Sequence, residues 1–298
     1  MKRNLFFVTA SVLALTASAA MAGDNTVYLD QYTETQKADI KQEGAGSSVG
    51  GSVLADHFYQ SGAGHNDLTV RQTATSKKDT VNGHQTGDTN KAFLTQSGEY
   101  SDIVLKQDGT KNGASNAELL VTKNTITQNG TSSHSDATFT QNGSYNLFDI
   151  TQGGAYNVIA ASQNGASNTI KIEQALYKDG SYGNAHNETI SKQNNASNSG
   201  DYTQIGSYNK IDSTQYGNAT AAIYQIGKNN QTLGAQSAGV NNVNISQGVN
   251  NVAYGTNNYA YYNQSGTNLA LSVIQMGNHN SSNTNQSGNG SSATIVQK

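Results

Sequence analysis

The chain of 298 residues contains no cysteine, no proline and no tryptophan. Without cysteine there is no disulfide framework, no thiol chemistry and no cysteine-type metal site. Without proline, nothing interrupts a continuous ladder of backbone hydrogen bonds, since each proline in a strand removes one donor. Charge is scarce too: Asp, Glu, Lys and Arg make up 12% of the residues, the formal net charge is −3, and no basic patch argues for nucleic acid. Apolar residues are only 34% of the chain, and composition alone would suggest disorder.

Long hydrophobic runs are missing except near the start. Lys2 and Arg3 precede an apolar stretch from Leu5 to Leu15 and the small-residue segment Ala20-Met21-Ala22, the pattern of a secretory signal peptide (residues 1–22) with cleavage expected before Gly23. The run is short and has no successor, so a membrane-anchor reading is rejected and a soluble, exported product with no membrane span is expected. Loss of Lys2 and Arg3 would leave fifteen basic against twenty acidic groups, a charge of −5.

What is present is a period. Glutamine recurs every eleven residues, usually with Gly two places and Asn five places later: from Gln31 to Gln42; Gln85 through Gln96 to Gln107; Gln141 through Gln152 and Gln163 to Gln174; Gln193 through Gln204 to Gln215; Gln225 through Gln236 to Gln247; and Gln264 through Gln275 and Gln286 to Gln297. A fixed period over most of a chain means stacked repeats rather than one globular core. Within a unit such as 141–152, Asn146, Phe148, Ile150 and Gln152 are spaced by two and share one face of an extended strand, while Leu147, Asp149 and Thr151 take the other. The same face recurs as Asn168, Ile170, Ile172 and Gln174 and as Ser101, Ile103, Leu105 and Gln107. Each unit is thus expected to be one strand of about five residues, followed by a turn in which Gly supplies a positive φ. The turn glycines are Gly98, Gly143, Gly165, Gly206, Gly227, Gly266, Gly277 and Gly288. Two units make a coil of about 22 residues, and the fold class is all-β, a β-solenoid of strand-turn-strand coils assembling into cross-β fibres.

The interior then buries amides beside aliphatics, and an unpaired buried amide costs about 1–3 kcal/mol. Where the same residue recurs directly above and below, each side-chain carbonyl can accept from its neighbour's amide, and the row satisfies itself. Identical charges so stacked would repel. The candidate self-assembly ladder comprises the glutamines of the series above, apart from Gln85 and Gln193, with Asn146, Asn157, Asn168, Asn209, Asn241 and Asn280. Asp149, Lys171, Glu173 and Asp212 fall on outward positions, where they keep the faces soluble or slow premature assembly. Intervals longer than eleven place excursions near 43–55, 73–82, 108–120, 175–186 and 248–258. The Gly-rich stretch from Glu43 to Ser52 is read as a flexible joint, dividing the chain into residues 23–59, with a weak repeat, and 60–298, the main solenoid.

The unit Gln-x-Gly-x-x-Asn-x-(apolar)-x-(apolar)-x-Gln resembles the curlin repeat of curli fibre subunits from Gram-negative biofilms. Gln204, Gly206, Asn209 and Gln215 carry the likeness, as do Gln163, Gly165, Asn168 and Gln174, over roughly 60–298 and more weakly over 27–42. The family's second glycine is replaced here by Tyr100, Tyr145, Tyr156 and Tyr208 or by Ser167 and Ser197. The resemblance implies an extracellular, cell-surface functional amyloid: a homopolymer needing no cofactor, whose partners are a nucleator subunit, an outer-membrane secretion channel and periplasmic chaperones.

Two other readings compete with this one. A polysaccharide-cleaving β-helix would need paired carboxylates in a cleft, whereas Asp and Glu are scattered here. A monomeric surface-binding or adhesin solenoid would present a regular threonine column. Thr95, Thr127, Thr140, Thr151, Thr203 and Thr214 precede glutamines, but Lys106, Glu173, Lys192 and Tyr224 interrupt them. The six histidines, His57, His65, His84, His134, His186 and His279, lack ligand spacing and are read as turn residues. The sixteen tyrosines are assigned to turn-edge stacking and adhesive contacts.

Overall fold

In the computed structural model, which describes residues 14–17, 24–32, 36–52, 57–62, 64–73, 75–113, 124–129, 133–175, 186–248 and 256–298, the described chain is all β, with no helix. It divides into two compact units, Met1–Ala155 and Tyr156–Lys298.

In the first unit, consecutive full-length strands alternate between two parallel sheets. One sheet runs in the order β1 (Ala14–Ala17), β4 (Lys37–Gln42), β7 (Asp67–Gln72), β9 (Lys91–Gln96), β11 (Asn124–Gln128) and β13 (Leu147–Gln152). The other contains β2 (Thr26–Val27), β5 (Ser48–Val49), β8 (Thr80–Asp88), β10 (Asp102–Thr110) and β12 (Asp136–Ser144), with β3 (Leu29–Gln31) on β6 (Phe58–Ser61) and β6 on β8. Of the expected signal peptide only Ala14–Ala17 is described, as a strand beside β4. The Gly-rich stretch 43–52, read as a joint, is built into this unit: Ala45 bridges Lys77, and β5 pairs with both β2 and β8.

The second unit repeats the scheme. One sheet holds β14 (Val158–Ala166), β16 (Glu188–Asn194), β18 (Lys210–Tyr216), β20 (Gln231–Ser237), β22 (Tyr259–Thr267) and β24 (Ser281–Asn289). The other holds β15 (Thr169–Ala175), β17 (Ser199–Ser207), β19 (Thr220–Lys228), β21 (Asn241–Gln247), β23 (Leu269–Gln275) and β25 (Ser292–Gln297).

Parallel pairing needs a crossover, and here the crossover is the strand of the opposite sheet with its two turns. Burial alternates along each strand as the two-residue period requires. Ala38 and Ile40, Ile103 and Leu105, Ile170 and Ile172, and Val243 and Ile245 point inward and are buried. Register is exact at the glutamines: Gln42 faces Gln72, then Gln96, then Gln128, then Gln152. Most strands exceed the expected five residues, and several reach nine because the ladder runs on through the glycines: Gly109 lies opposite Gly143, Gly206 opposite Gly227 and Gly266 opposite Gly288.

The long intervals are absorbed in two ways. Val49 and Tyr59 face Val81 and His84, so ten positions of chain stand against three. The seven extra residues interrupt a strand instead of lengthening the turn expected near 43–55. Between Gln72 and Lys77 the chain spends two residues more than between Gln96 and Glu99, its register partners, which is a turn insertion as expected for 73–82. The excursions expected at 108–120, 175–186 and 248–258 lie largely outside the described residues, and register resumes after each.

Two tyrosines enter the core. Tyr202 and Tyr262 are fully buried, contrary to the surface role expected of the tyrosines. Their hydroxyls meet at Ser213, Tyr202 donating to its Oγ (3.2 Å) and Tyr262 sharing a 2.7 Å hydrogen bond with it. A Cβ on Gly200 would lie 2.6 Å from the Tyr202 ring, so small neighbours make room for these large side chains.

Candidate self-assembly ladder

The glutamine columns satisfy themselves. In the first unit Gln42 Nε2 donates to Gln72 Oε1 (2.7 Å), Gln72 to Gln96 (2.9 Å), Gln96 to Gln128 (3.1 Å) and Gln128 to Gln152 (2.9 Å). On the other sheet the column runs Gln31, Gln60, Gln85, Gln107 and Gln141 at 2.6–2.9 Å. In the second unit one column runs Gln174, Gln204, Gln225, Gln247, Gln275 and Gln297, with bonds of 2.7–3.0 Å. The other runs Gln163, Gln193, Gln215, Gln236, Gln264 and Gln286, with bonds of 2.7–3.3 Å.

Each of these bonds runs the same way, from the amide of the earlier coil to the carbonyl of the later one. The second amide hydrogen goes to backbone carbonyls inside the coil, as Gln96 Nε2 does to Ser101 (2.8 Å) and Thr80 (3.0 Å). Buried hydroxyls join the columns: Thr189 Oγ1 accepts from Gln174 (3.2 Å) and donates to Gln204 Oε1 (2.9 Å), and Thr232 does the same between Gln225 and Gln247.

The asparagines form corner columns of opposite sense. The backbone N–H of the later coil donates to the Oδ1 of the earlier one: Asn187 to Asn157 (3.0 Å), Asn209 to Asn187 (3.1 Å), Asn230 to Asn209 (3.1 Å), Asn258 to Asn230 (3.2 Å) and Asn280 to Asn258 (3.0 Å). Asn198 donates likewise to Asn168 (3.0 Å), and Leu269 to Asn241 (3.1 Å). In the first unit Asn66, Asn90, Asn112 and Asn146 continue from Gln36 Oε1. Asparagine is suited to a corner because its short amide reaches its own turn as well as the next coil, as when Asn209 Nδ2 donates to Ile205 O and Gly227 O.

Every glutamine and asparagine of the candidate set therefore lies in a column. The set lacks Gln60, Gln72, Gln85, Gln128 and Gln193, which break the eleven-residue interval or stand at a series' start, and the corner residues Gln36, Asn66, Asn90, Asn112, Asn187, Asn198, Asn230 and Asn258. Thr189 and Thr232 carry no sequence signal, because only the closeness of the opposite sheet brings their hydroxyls to an amide.

Among the predicted turn glycines, Gly143, Gly165, Gly206, Gly227, Gly266, Gly277 and Gly288 have positive φ, and Gly98 does not. At that corner Tyr100 is left-handed (φ 56°), and the Gly98 carbonyl accepts from Lys77 N–H. The replaced second-glycine positions are left-handed throughout: Tyr145, Tyr156, Ser167, Ser197 and Tyr208 lie at φ 56–58°, at a cost of about 1–2 kcal/mol each. Their side chains stack along the corner. His186 lies 4.8 Å from both Tyr156 and Tyr208, nearly parallel to each, and Tyr100 stacks on His134 at 5.1 Å. His84 departs from the expected turn role: it lies in β8, stacked on Tyr59 at 4.7 Å, while His57 meets Asp30 at 3.0 Å.

The outward threonines fall on two sheets. Thr95, Thr127 and Thr151 adjoin on one sheet. Elsewhere Thr140 lies beside Lys106, Thr203 between Glu173 and Tyr224, and Thr214 beside Lys192. Asp149, Lys171, Glu173 and Asp212 do point outward.

The ends of the columns are unequal. Gln31 Oε1 is buried with no hydrogen-bond partner. In the second unit, at the end of a different column, Gln297 accepts from Gln275 and gives one amide hydrogen to Ser281 O (2.8 Å), without the next Gln carbonyl that every earlier amide of its column finds. One corner column also contains a carboxylate: Asp79 is fully buried, and burial pushes its pKa up to about 6, with the hydrogen bond from Ser101 N–H opposing and Asp102 and Glu99 adding to the rise. Burial likewise raises the Tyr202 and Tyr262 hydroxyls. No family profile, curated protein or solved structure matches this chain. No helix among the described residues is long and apolar enough to cross a membrane.

Proposed function

We propose that this chain is a secreted structural subunit that polymerises into extracellular functional-amyloid fibres, similar to curli, for adhesion and biofilm matrix. The observation that carries the reading is the set of one-way amide columns: the column that starts at Gln31 begins with an unused acceptor, and a different column, which stops at Gln297, ends with an unused donor. The matching rungs of a further copy would give each group a partner and continue its own ladder. Strands β24 and β25 close the order of their sheets and pair on one side only; an unpaired edge of this kind is a template for another strand. The reading includes a non-enzymatic role, export across the outer membrane and the nucleator, channel and chaperone partners that the curlin resemblance implies.

The test is to dilute the denatured chain into plain buffer, follow thioflavin fluorescence and record fibre diffraction. A lag, growth accelerated by seeds, and reflections near about 4.8 and 10 Å support the reading. A stable, monodisperse β-rich monomer over days at micromolar concentration overturns it.

A further inference from the structure

We infer that Asp79 is an acid-sensitive rung of the first unit, whose coil closes fully only when this side chain is neutral. Its position is that of a ladder amide. In the same corner column Asn25 Oδ1 accepts from Ser47 N–H (2.9 Å), Asp79 N–H reaches Ser47 Oγ (3.4 Å), Ser101 N–H donates to Asp79 Oδ1 (2.9 Å) and Ser135 N–H reaches Ser101 Oγ (3.3 Å).

Asparagine or serine at such a position has both an acceptor for the next coil and a donor of its own. Ionised aspartate has acceptors only. Its Oδ1 serves the ladder, while its Oδ2 is buried with no hydrogen-bond partner. Protonation supplies the missing donor and removes a buried charge, which is the costlier of the two defects.

The groups around it do not offer a cation. On its own turn Lys77 pairs with Glu99 of the next coil (2.6 Å), and Lys78 lies over the Tyr100 ring (5.0 Å). The preceding coil contributes Ser47 and the opposite sheet Gln72, whose amide donates to the Asp79 carbonyl (3.0 Å). The following coils bring more negative charge. Asp102 faces Asp136 across adjacent rungs, and burial together with Asp102 raises the Asp136 carboxyl, which His134 opposes. Thr80, next to Asp79, spends its hydroxyl on Asp102.

The sign follows from linkage. With its folded-state pKa near 6 against an ordinary 3.8, the folded coil binds the proton more tightly than the unfolded chain. The stabilisation is complete below the ordinary value and is lost as pH rises through about 6. Between these limits the folding equilibrium should change about a hundredfold through this one group.

The experiment compares the full chain with Asp79→Asn by urea titration, followed by far-ultraviolet circular dichroism, at several pH values from about 4 to 7.5. The comparison reads resistance of the β-structure whether it is monomeric or polymerised, so it is independent of the assembly proposal. Asp79→Asn is expected to resist more urea at neutral pH, with the gap closing as pH falls through the Asp79 range. A gap that stays constant with pH, or an Asp79→Asn chain that is weaker at neutral pH or does not fold, overturns the inference, because asparagine is what corresponding corners of the second unit carry.

Discussion

A glutamine in one of these columns must satisfy two amide hydrogens and a carbonyl without water, and its partners are other glutamines, backbone carbonyls and, in some rungs, a buried hydroxyl. Gln204 accepts from Gln174 and Thr189 and donates to Gln225 and Glu188 O. Truncation at Gln204→Ala removes one acceptor of the Gln174 amide and the donor to the Gln225 carbonyl together, and with the cavity it leaves should cost about 2–4 kcal/mol in urea unfolding. A substitution at the outward neighbour Thr203 should stay within about 0.5 kcal/mol. Glycine acts by a different route. A Cβ on Gly206 would lie 2.2 Å from Gly227 O, at φ +107°, so Gly206→Ala should destabilise by at least about 2 kcal/mol, read from the same titration, and the loss should exceed that of Ala at Gly98, which lacks the positive φ. These residue-level demands were visible in the sequence because they repeat at fixed spacing. Asp79 was not, since a single buried carboxylate in one rung has no period to betray it.

Each strand is one rung, and its inner face must match rungs before and after it and the opposite sheet. Where Tyr202 enters, Ile172 and Ile223 stand in its register and Gly200 lies between Ile170 and Ala221. Gly200→Ala alone should overpack the rung and cost about 1–3 kcal/mol, and Tyr202→Ile alone should leave a void and a hydroxyl partner less for Ser213. The double variant Gly200→Ala with Tyr202→Ile restores the aliphatic pattern of the neighbouring rungs. A double-mutant cycle should therefore show a coupling of about 1 kcal/mol or more in the compensating direction, whereas strict additivity would mean that ring and glycine do not compete for the same space. The broken rung of β5 and β6 shows the same independence of local detail: seven additional residues leave the register of Gln60 on Gln85 intact, because the partners above and below, not the connecting chain, hold the strand in place.

At the scale of the whole molecule, a period that repeats within a chain can continue between chains. If the column ends guide assembly, Gln297→Ala combined with Asn280→Ala should slow fibre elongation several-fold in seeded thioflavin assays, with little change in the fibre's diffraction spacings. Unchanged elongation would place the growing edge elsewhere. The effect belongs to the edge, since Gln297 and Asn280 are half-buried while Gln275 and Asn258, one coil earlier, are buried.

The sequence by itself determined the strand and turn alternation, the inward set of Gln, Asn and aliphatic residues, and the all-β class. These depend on local spacing, which an eleven-residue period writes into the chain many times over. Only the tertiary structure decided that consecutive strands divide between two parallel sheets and that the amide bonds run one way. It also decided that Tyr202 and Tyr262 turn inward, that Thr189 and Thr232 feed the columns from the opposite sheet, and that Asp79 occupies an amide's place. Each of these depends on which residue lies across the core or one coil away, a distance in space that no spacing along the chain encodes.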